Sequence, residues 1–432
     1  MTSLHDATPA AAVRSPERHG RATLFALALG TFCIGTTEFA SMGIIQIFSP
    51  ALGVDVPTGT HAITFYALGV VIGAPALTLA AAHLNRRTLL LLLIGIFVAG
   101  NLLSAFAGSI GLLAAARFLT GLPQGAYFGA GAVVAAHVVG ASHAGRAFAV
   151  VMSGLTLATI FGSPLATLLG QTVGWRGAYL SIGALGLVSF LALWLFVPRA
   201  RELDGASVRD ELSGLWNGRV WLMMATTALG ISSIFAVYTF IGPLVTDLAM
   251  LPAGVVPVAL ALFGVGMAAG NVYGGRLADA HPSRGIVAGY GGAMMVLAVL
   301  GLWGANMWIL VVSLPFVGAT LMAAIPTIQV RMMALAPESQ SLMGAMNLAS
   351  LNVANALGAW AGGITIGAGW GLLSSVWAGF VLTGLGLMLF IAVFTRGERA
   401  APEERTPLSH GHGPRHAGIT APSTTMPDGS QP

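Results

Sequence analysis

Long apolar runs alternate with short polar breaks along almost the whole chain, at the spacing of a membrane helix and its turn. The apolar segments fall at residues 22–47, 60–82, 88–107, 110–139, 147–170, 176–197, 219–245, 253–276, 285–303, 306–330, 341–366 and 371–394. Most match or exceed the roughly 20 residues that carry a helix across about 30 Å of hydrocarbon. Their ends are less well defined, because Ser109 sits in a very short turn and Pro243 and Pro252 bracket another. The first run is longer than the core of a signal peptide and a second follows at once, so cleavage as a signal peptide is not expected. The longest polar interval, residues 198–218, carries Arg199, Arg201, Glu202, Asp204, Arg209, Asp210 and Glu211. It divides twelve segments into two sets of six. The pattern predicts an all-α polytopic membrane protein with a tail over 1–20, a six-helix bundle over 21–197, a linker over 198–218, a second bundle over 219–396 and a tail over 397–432.

Composition supports this reading and charge orients it. The chain is 56% hydrophobic and 8% charged, whereas about a quarter of the residues of a soluble domain are charged. There is no lysine, and all 19 basic residues are arginines. With the N-terminus in the cytoplasm, 17 of those 19 fall in cytoplasmic loops or tails, against Arg176 outside and Arg117 within a helix. Adding or removing one span would move the downstream arginines to the wrong face, so the bias sets the parity as well as the orientation. Both termini are then cytoplasmic. The arginines lie in scattered loops rather than on one basic surface, which argues against a nucleic-acid partner. Cys33 is the single cysteine and can form no internal disulfide.

The two halves resemble each other. Gly69, Gly73 and Arg87 of the first half are each 197 residues before Gly266, Gly270 and Arg284 of the second. Glycines at equivalent places in two six-helix sets point to a parallel internal repeat, as in a transporter whose halves enclose a central site.

Glu38, in the run Gly35-Thr36-Thr37-Glu38-Phe39, lies inside the first apolar segment. A lipid-facing carboxylate there is costly, so it is expected to face protein or water. At about 1.5 Å per residue it lies roughly 15 Å from the outer end, and Arg117 of the fourth segment roughly 12 Å. A Glu38–Arg117 pair, direct or through water, would offset the cost of burial; the alternatives are that both face the cavity separately or serve structure alone. Gln124, Tyr127, Tyr238, Asn347 and Asn352 are candidates for lining a substrate cavity. Gly270, Gly274, Gly275, Arg276, Asp279 and Arg284 form a candidate gate, with glycines for close helix crossing and charges to lock helix ends. Gly154, Gly162 and Pro164 give the fifth helix a bend or a mobile crossing. Asn355, Gly358 and Gly362 are assigned to packing of the eleventh. His83, His137 and His143 are dispersed and make a weak case for a metal; His410, His412 and His416 lie in a Pro/Gly/Ser-rich tail.

On these motifs the chain resembles the major facilitator superfamily, in particular its twelve-helix proton-coupled drug and sugar efflux members. Gly274-Gly275-Arg276-Leu277-Ala278-Asp279 with Arg284 is similar to the inter-helix loop signature, the run from Arg117 to Gly125 to the fourth-helix signature, and Gly154 through Gly162-Ser163-Pro164 to the fifth-helix antiporter signature. The Glu38 run, and Asn347 to Asn355 with Gly362-Gly363, resemble the arabinose, purine-nucleoside and chloramphenicol exporter branch. The resemblance covers about residues 21–396. It implies two bundles related by a pseudo-two-fold axis, rocking-type alternating access in a bacterial inner membrane, a proton-coupling role for Arg117, and export rather than uptake. One departure stands out: Ala82 occupies the first-half position of Asp279, so the acidic clamp is expected in the second half alone.

The function expected is proton-coupled antiport of a small organic compound, driven by the proton gradient without a cofactor or metal. Glu38 would carry the proton. The partners are the substrate, protons and the bilayer, and the protein is expected to act as a monomer. Proton symport of a small polar metabolite, and a non-transporting receptor or scaffold, are the alternative classes; a membrane enzyme lacks a nucleophile–base arrangement.

Overall fold

The structure is a computed structural model that describes residues 16–80, 83–140, 143–200, 203, 217–336 and 340–395. Residues 1–15 of the first tail, the second tail at 397–432, most of the linker 198–218, Ala82 and the Asp279 side chain lie outside the described residues. The long helices are α1 (Pro16–Gly43), α2 (His61–Ala80), α3 (Arg86–Ala105), α4 (Ile110–Val139), α5 (Arg146–Val173) and α6 (Trp175–Phe196). The second half supplies α7 (Gly218–Tyr238), α8 (Val256–Ala280), α9 (Pro282–Trp303), α10 (Met307–Leu335), α11 (Gln340–Gly367) and α12 (Ser374–Phe390). Eleven segments among the described residues are long and apolar enough to cross a membrane. α11 has the same length but stands outside that set, with Asn347, Asn352 and Asn355 along it. Exposed tryptophans mark both ends of the bundle, Trp194 and Trp221 at the end where α1 begins, Trp303, Trp308 and Trp370 at the far end. That is the distribution of a membrane-interface belt.

The packing is a repeat. In the first half α1 lies on α5 and α6, α2 on α4, and α3 on α4 and α6; in the second half α7 lies on α11 and α12, α8 on α10, and α9 on α10 and α12. The halves meet along two equivalent seams, α2 against α11 and α8 against α5. The glycines show why the offset of 197 exists. A side chain at Gly69 or Gly73 would overlap the backbone at Phe118 or Leu122, and one at Gly266 or Gly270 the backbone at Pro315 or Ala319. The partners are themselves 197 apart (118 and 315, 122 and 319), so the same backbone crossing is built twice. A second pair of crossings repeats at 204: Gly154 on Ala28 and Phe32, Gly358 on Ser232 and Ala236. Small residues let helices approach this closely where lipid supplies no hydrophobic drive.

Gly274 continues the α8–α10 crossing against Ala323, whereas Gly275, grouped with it on sequence, faces open space and takes no part. This difference is testable. Gly270→Leu is expected to cost about 1–3 kcal/mol or more by overpacking. Gly275→Ala is expected to be neutral or up to about 1 kcal/mol stabilising through helix propensity. Thermal unfolding of the purified full-length variants in detergent compares them, and equal midpoints would refute the crossing.

Three of the helices depart from regular geometry beside the central seam. α5 contains a π-helical turn at Ala158–Gly162 directly before Ser163-Pro164. Pro164 has no N–H to give the preceding turn, and the helix re-registers there rather than kinking sharply. The segment expected over 219–245 ends as a regular helix at Tyr238, then passes through Ile241–Pro243 into a π-helical turn at Leu244–Leu248. α4 is interrupted at Leu122-Pro123, between Arg117 and Gln124.

Candidate functional site

Glu38 is the one buried acidic side chain among the described residues, and it lies where the halves meet. Gln124 of α4 donates its Nε2 to Glu38 Oε2 at 3.0 Å, and Asn355 of α11 donates Nδ2 to Oε1 at 3.3 Å. Tyr66 Oη of α2 donates to Gln124 Oε1 at 2.8 Å, which fixes the amide with its NH₂ towards the carboxyl. The Asn355 bond crosses from one bundle to the other. Asn355 Oδ1 is buried with no partner.

Arg117 does not pair directly with Glu38. Its two terminal nitrogens clamp the preceding residue, Nη1 donating to Thr37 Oγ1 and Nη2 to the Thr37 carbonyl, both at 2.8 Å. Thr37 Oγ1 passes the chain to Asn101 Oδ1 at 2.6 Å, and Asn101 Nδ2 donates to the Phe97 carbonyl at 2.9 Å. The guanidinium lies over the Tyr66 ring at 4.5 Å and near the Tyr179 ring at 5.5 Å. Adjacent residues of a helix point about 100° apart, so the face that gives Thr37 to Arg117 turns Glu38 towards Gln124 and α11. Arg117 is fully buried, whereas Glu38 keeps 7% of its surface accessible. The arginine holds α1 in place, and the carboxyl is left to Gln124 and Asn355.

The remaining candidates lie apart from this pair. Tyr127 sits within the first bundle, its Oη donating to the Leu27 carbonyl at 3.0 Å over Gly30, where a side chain would collide with it. Tyr238 donates to Ser163 Oγ across the seam at 2.9 Å and packs edge-on against Phe39 at 5.2 Å and Phe263 at 5.1 Å. Phe235 stacks on Phe39 as well. Asn347 donates to Gln329 Oε1 at 2.5 Å, and Asn352 to the Leu348 carbonyl of its own helix at 3.1 Å. Both leave a buried Oδ1 without a partner, as Asn355 does. Gly162 lies against Thr36, and Gly362 against Phe240 and Ser375. Arg276 and Arg284 are exposed. Sequence reasoning placed Asn355 with packing and did not single out Tyr66, Asn101 or Tyr179. Polar residues inside apolar segments were the available signal.

At the far end the halves are tied together. Gln46, in the short helix Ile45–Ala51, donates to Thr246 Oγ1 at 3.0 Å and Asp247 Oδ2 at 3.3 Å. Gln171 donates to the Ala253 carbonyl at 2.8 Å. Thr60 and Pro57 lie beside Gly363 and Gly367. These contacts join the two halves at the far end.

Two repeated bundles of membrane-length helices that meet on a buried carboxyl have the architecture of a multi-pass membrane transporter. The chain belongs to the Major Facilitator Superfamily, whose model its residues 27–257 match. It is 38% identical over 367 residues to the inner membrane transport protein YdhP of Escherichia coli (strain K12), covering 85% of this chain and 94% of that protein. It is 32% identical over 392 residues to the chloramphenicol resistance protein of Streptomyces lividans, covering 89% and 99%. The crystal structure of the nucleoside transporter NupG shares the fold, with a TM-score of 0.69 at 12% identity over 86% of this chain and 99% of that one. The protein is a membrane transporter of this family and not an enzyme.

Proposed function

We propose that this chain is a proton-coupled antiporter of a bacterial inner membrane that exports a small organic compound, with both termini in the cytoplasm and Glu38 as the proton carrier. The observation that carries the reading is the hydrogen bond from Asn355 to Glu38, a link between the two halves made to the one buried acid described. An ionised Glu38 accepts from both Gln124 and Asn355. A protonated one carries an O–H that needs an acceptor, and the unpaired Asn355 Oδ1 is beside it. Taking or losing a proton thus changes the bond that holds α11 to α1, and a shift in that bond biases one packing of the halves over the other. The arginine bias supports the orientation, which makes the far end, where the halves are joined, the periplasmic one. The aromatic cluster of Phe39, Phe235 and Tyr238, built on the residue that follows Glu38, with three unpaired amide oxygens on α11, suits a neutral compound with an apolar body and hydroxyl or amide donors.

Inside-out vesicles with an acid interior test this reading. Antiport predicts accumulation of a compound from an efflux panel, lost when the gradient is collapsed. Asn355→Ala is expected to lower the gradient-driven rate about tenfold, the value of one hydrogen bond to a charged group, while substrate exchange without a gradient persists. Accumulation under the opposite gradient would instead identify a symporter.

A further inference from the structure

Away from the seam, at the end of the molecule where α1 begins, the start of α3 and the end of α6 border an open pocket of about 350 Å³ lined by Asn85, Arg87, Thr88, Leu91, Trp194 and Arg199 among others. Transport as described above does not use it. It holds two guanidinium groups, and among the described residues no acidic side chain lines it. Arg87 has a structural duty, because it caps the last turn of α6 by donating from Nη2 to the Trp194 carbonyl, and Asn85 likewise donates to the Ala200 carbonyl at 2.8 Å. That duty uses one of the five donors of the guanidinium. Arg87 is only 9% exposed, and its Nε is buried without a partner. A buried donor left unpaired and a second arginine beside it, with no carboxylate among the described lining residues, form half of an anion site.

The other half of the ligand is indicated by what adjoins the cavity. Thr88 and Leu91 also line a second cavity of about 460 Å³ that runs along the outer face of α3 past Leu92, Gly95, Ile96 and Ala99, with Phe190 of α6 as its wall. Its lining is apolar apart from Thr88. From Thr88 to Ala99 it extends about 16 Å at 1.5 Å per helical residue, close to one leaflet of a hydrocarbon core about 30 Å thick. The space beside Gly95 is open, with no atom near the position of a side chain. A basic pocket at the membrane surface leading into an apolar groove one leaflet long has the shape and charge of a phospholipid with an anionic headgroup.

We propose that the α3–α6 cleft binds an anionic phospholipid, its phosphate between Arg87 and Arg199 and an acyl chain along α3 past Gly95. The Trp194 ring, exposed at the cavity rim, marks the headgroup level.

Native mass spectrometry of the purified full-length protein, titrated with phosphatidylglycerol or phosphatidylcholine, tests the site. Wild type is expected to retain phosphatidylglycerol over phosphatidylcholine. Arg199 makes no hydrogen bond that folding requires, so Arg199→Ala should fold as wild type and lose about fivefold in phosphatidylglycerol retention, the contribution of one interfacial arginine. Gly95→Phe places its Cβ in open space, projects a ring into the groove and is expected to reduce retention of both lipids. Retention of phosphatidylglycerol by both variants at the wild-type level would overturn the proposal. Displacement of the lipid by millimolar inorganic phosphate, with Gly95→Phe unaffected, would overturn it in favour of a free-anion site. Melting temperatures measured in the same detergent separate loss of lipid from loss of fold.

Discussion

Glu38→Gln is expected to abolish gradient-driven export while the protein remains folded and still exchanges substrate across a membrane without a gradient. The amide nearly matches the carboxyl in size, and one of its heavy atoms can still accept a hydrogen bond from Gln124 or Asn355. What it cannot do is gain and lose a proton. Loss of coupling should therefore exceed about a hundredfold, because no other acidic side chain is buried among the described residues, and a second carrier would have to come from outside them. Stability should change little or rise, since a buried ionisable group is replaced by a neutral one. Reconstituted protein measured in parallel for pH-gradient-driven accumulation and for counterflow separates these effects. Concentrative export by the variant would remove Glu38 from the mechanism.

Arg117→Lys should do the reverse, damaging the structure first and transport through it. The guanidinium makes two 2.8 Å bonds to Thr37 and lies over the Tyr66 ring. A lysine keeps the charge but offers a single ammonium, which cannot reproduce the planar fork or its stacking. Losing at least one charge-assisted bond costs about 1.5–3 kcal/mol, so a lower unfolding temperature in detergent is expected. Transport should fall about tenfold or more, because Thr37 and Glu38 are consecutive and a looser α1 misplaces the carboxyl relative to Gln124 and Asn355. If Arg117→Lys melts and transports as wild type, the clamp has no part in positioning Glu38.

These two residues also show where sequence reasoning stopped. Their burial in apolar segments and their similar depth were legible, because charge in hydrocarbon is costly enough to be noticed in any sequence. Their pairing was not. Depth counts residues along each helix but says nothing of the rotation of each helix about its axis, and a turn of about 100° separates Thr37 from Glu38. Asn355 is the clearest omission. An asparagine on a helix carries no mark of whether it will meet a packing neighbour or a carboxyl from the other half.

By itself the sequence determined that the chain crosses a membrane repeatedly, that it is made of two related sets of helices, and that one acid and one arginine lie deep within the first. Hydrophobic length, arginine placement and the 197-residue glycine repeat are each properties of single segments or of their spacing along the chain. Tertiary structure alone decided that Arg117 clamps Thr37, that Glu38 is shared between Gln124 and Asn355, that the halves are joined at the far end, and that two arginines line a pocket between α3 and α6. Those outcomes depend on the rotation and close approach of helices remote in sequence. Backbone crossings at Gly69, Gly73, Gly266 and Gly270 set that approach, and composition or spacing does not encode the side-chain partners that result.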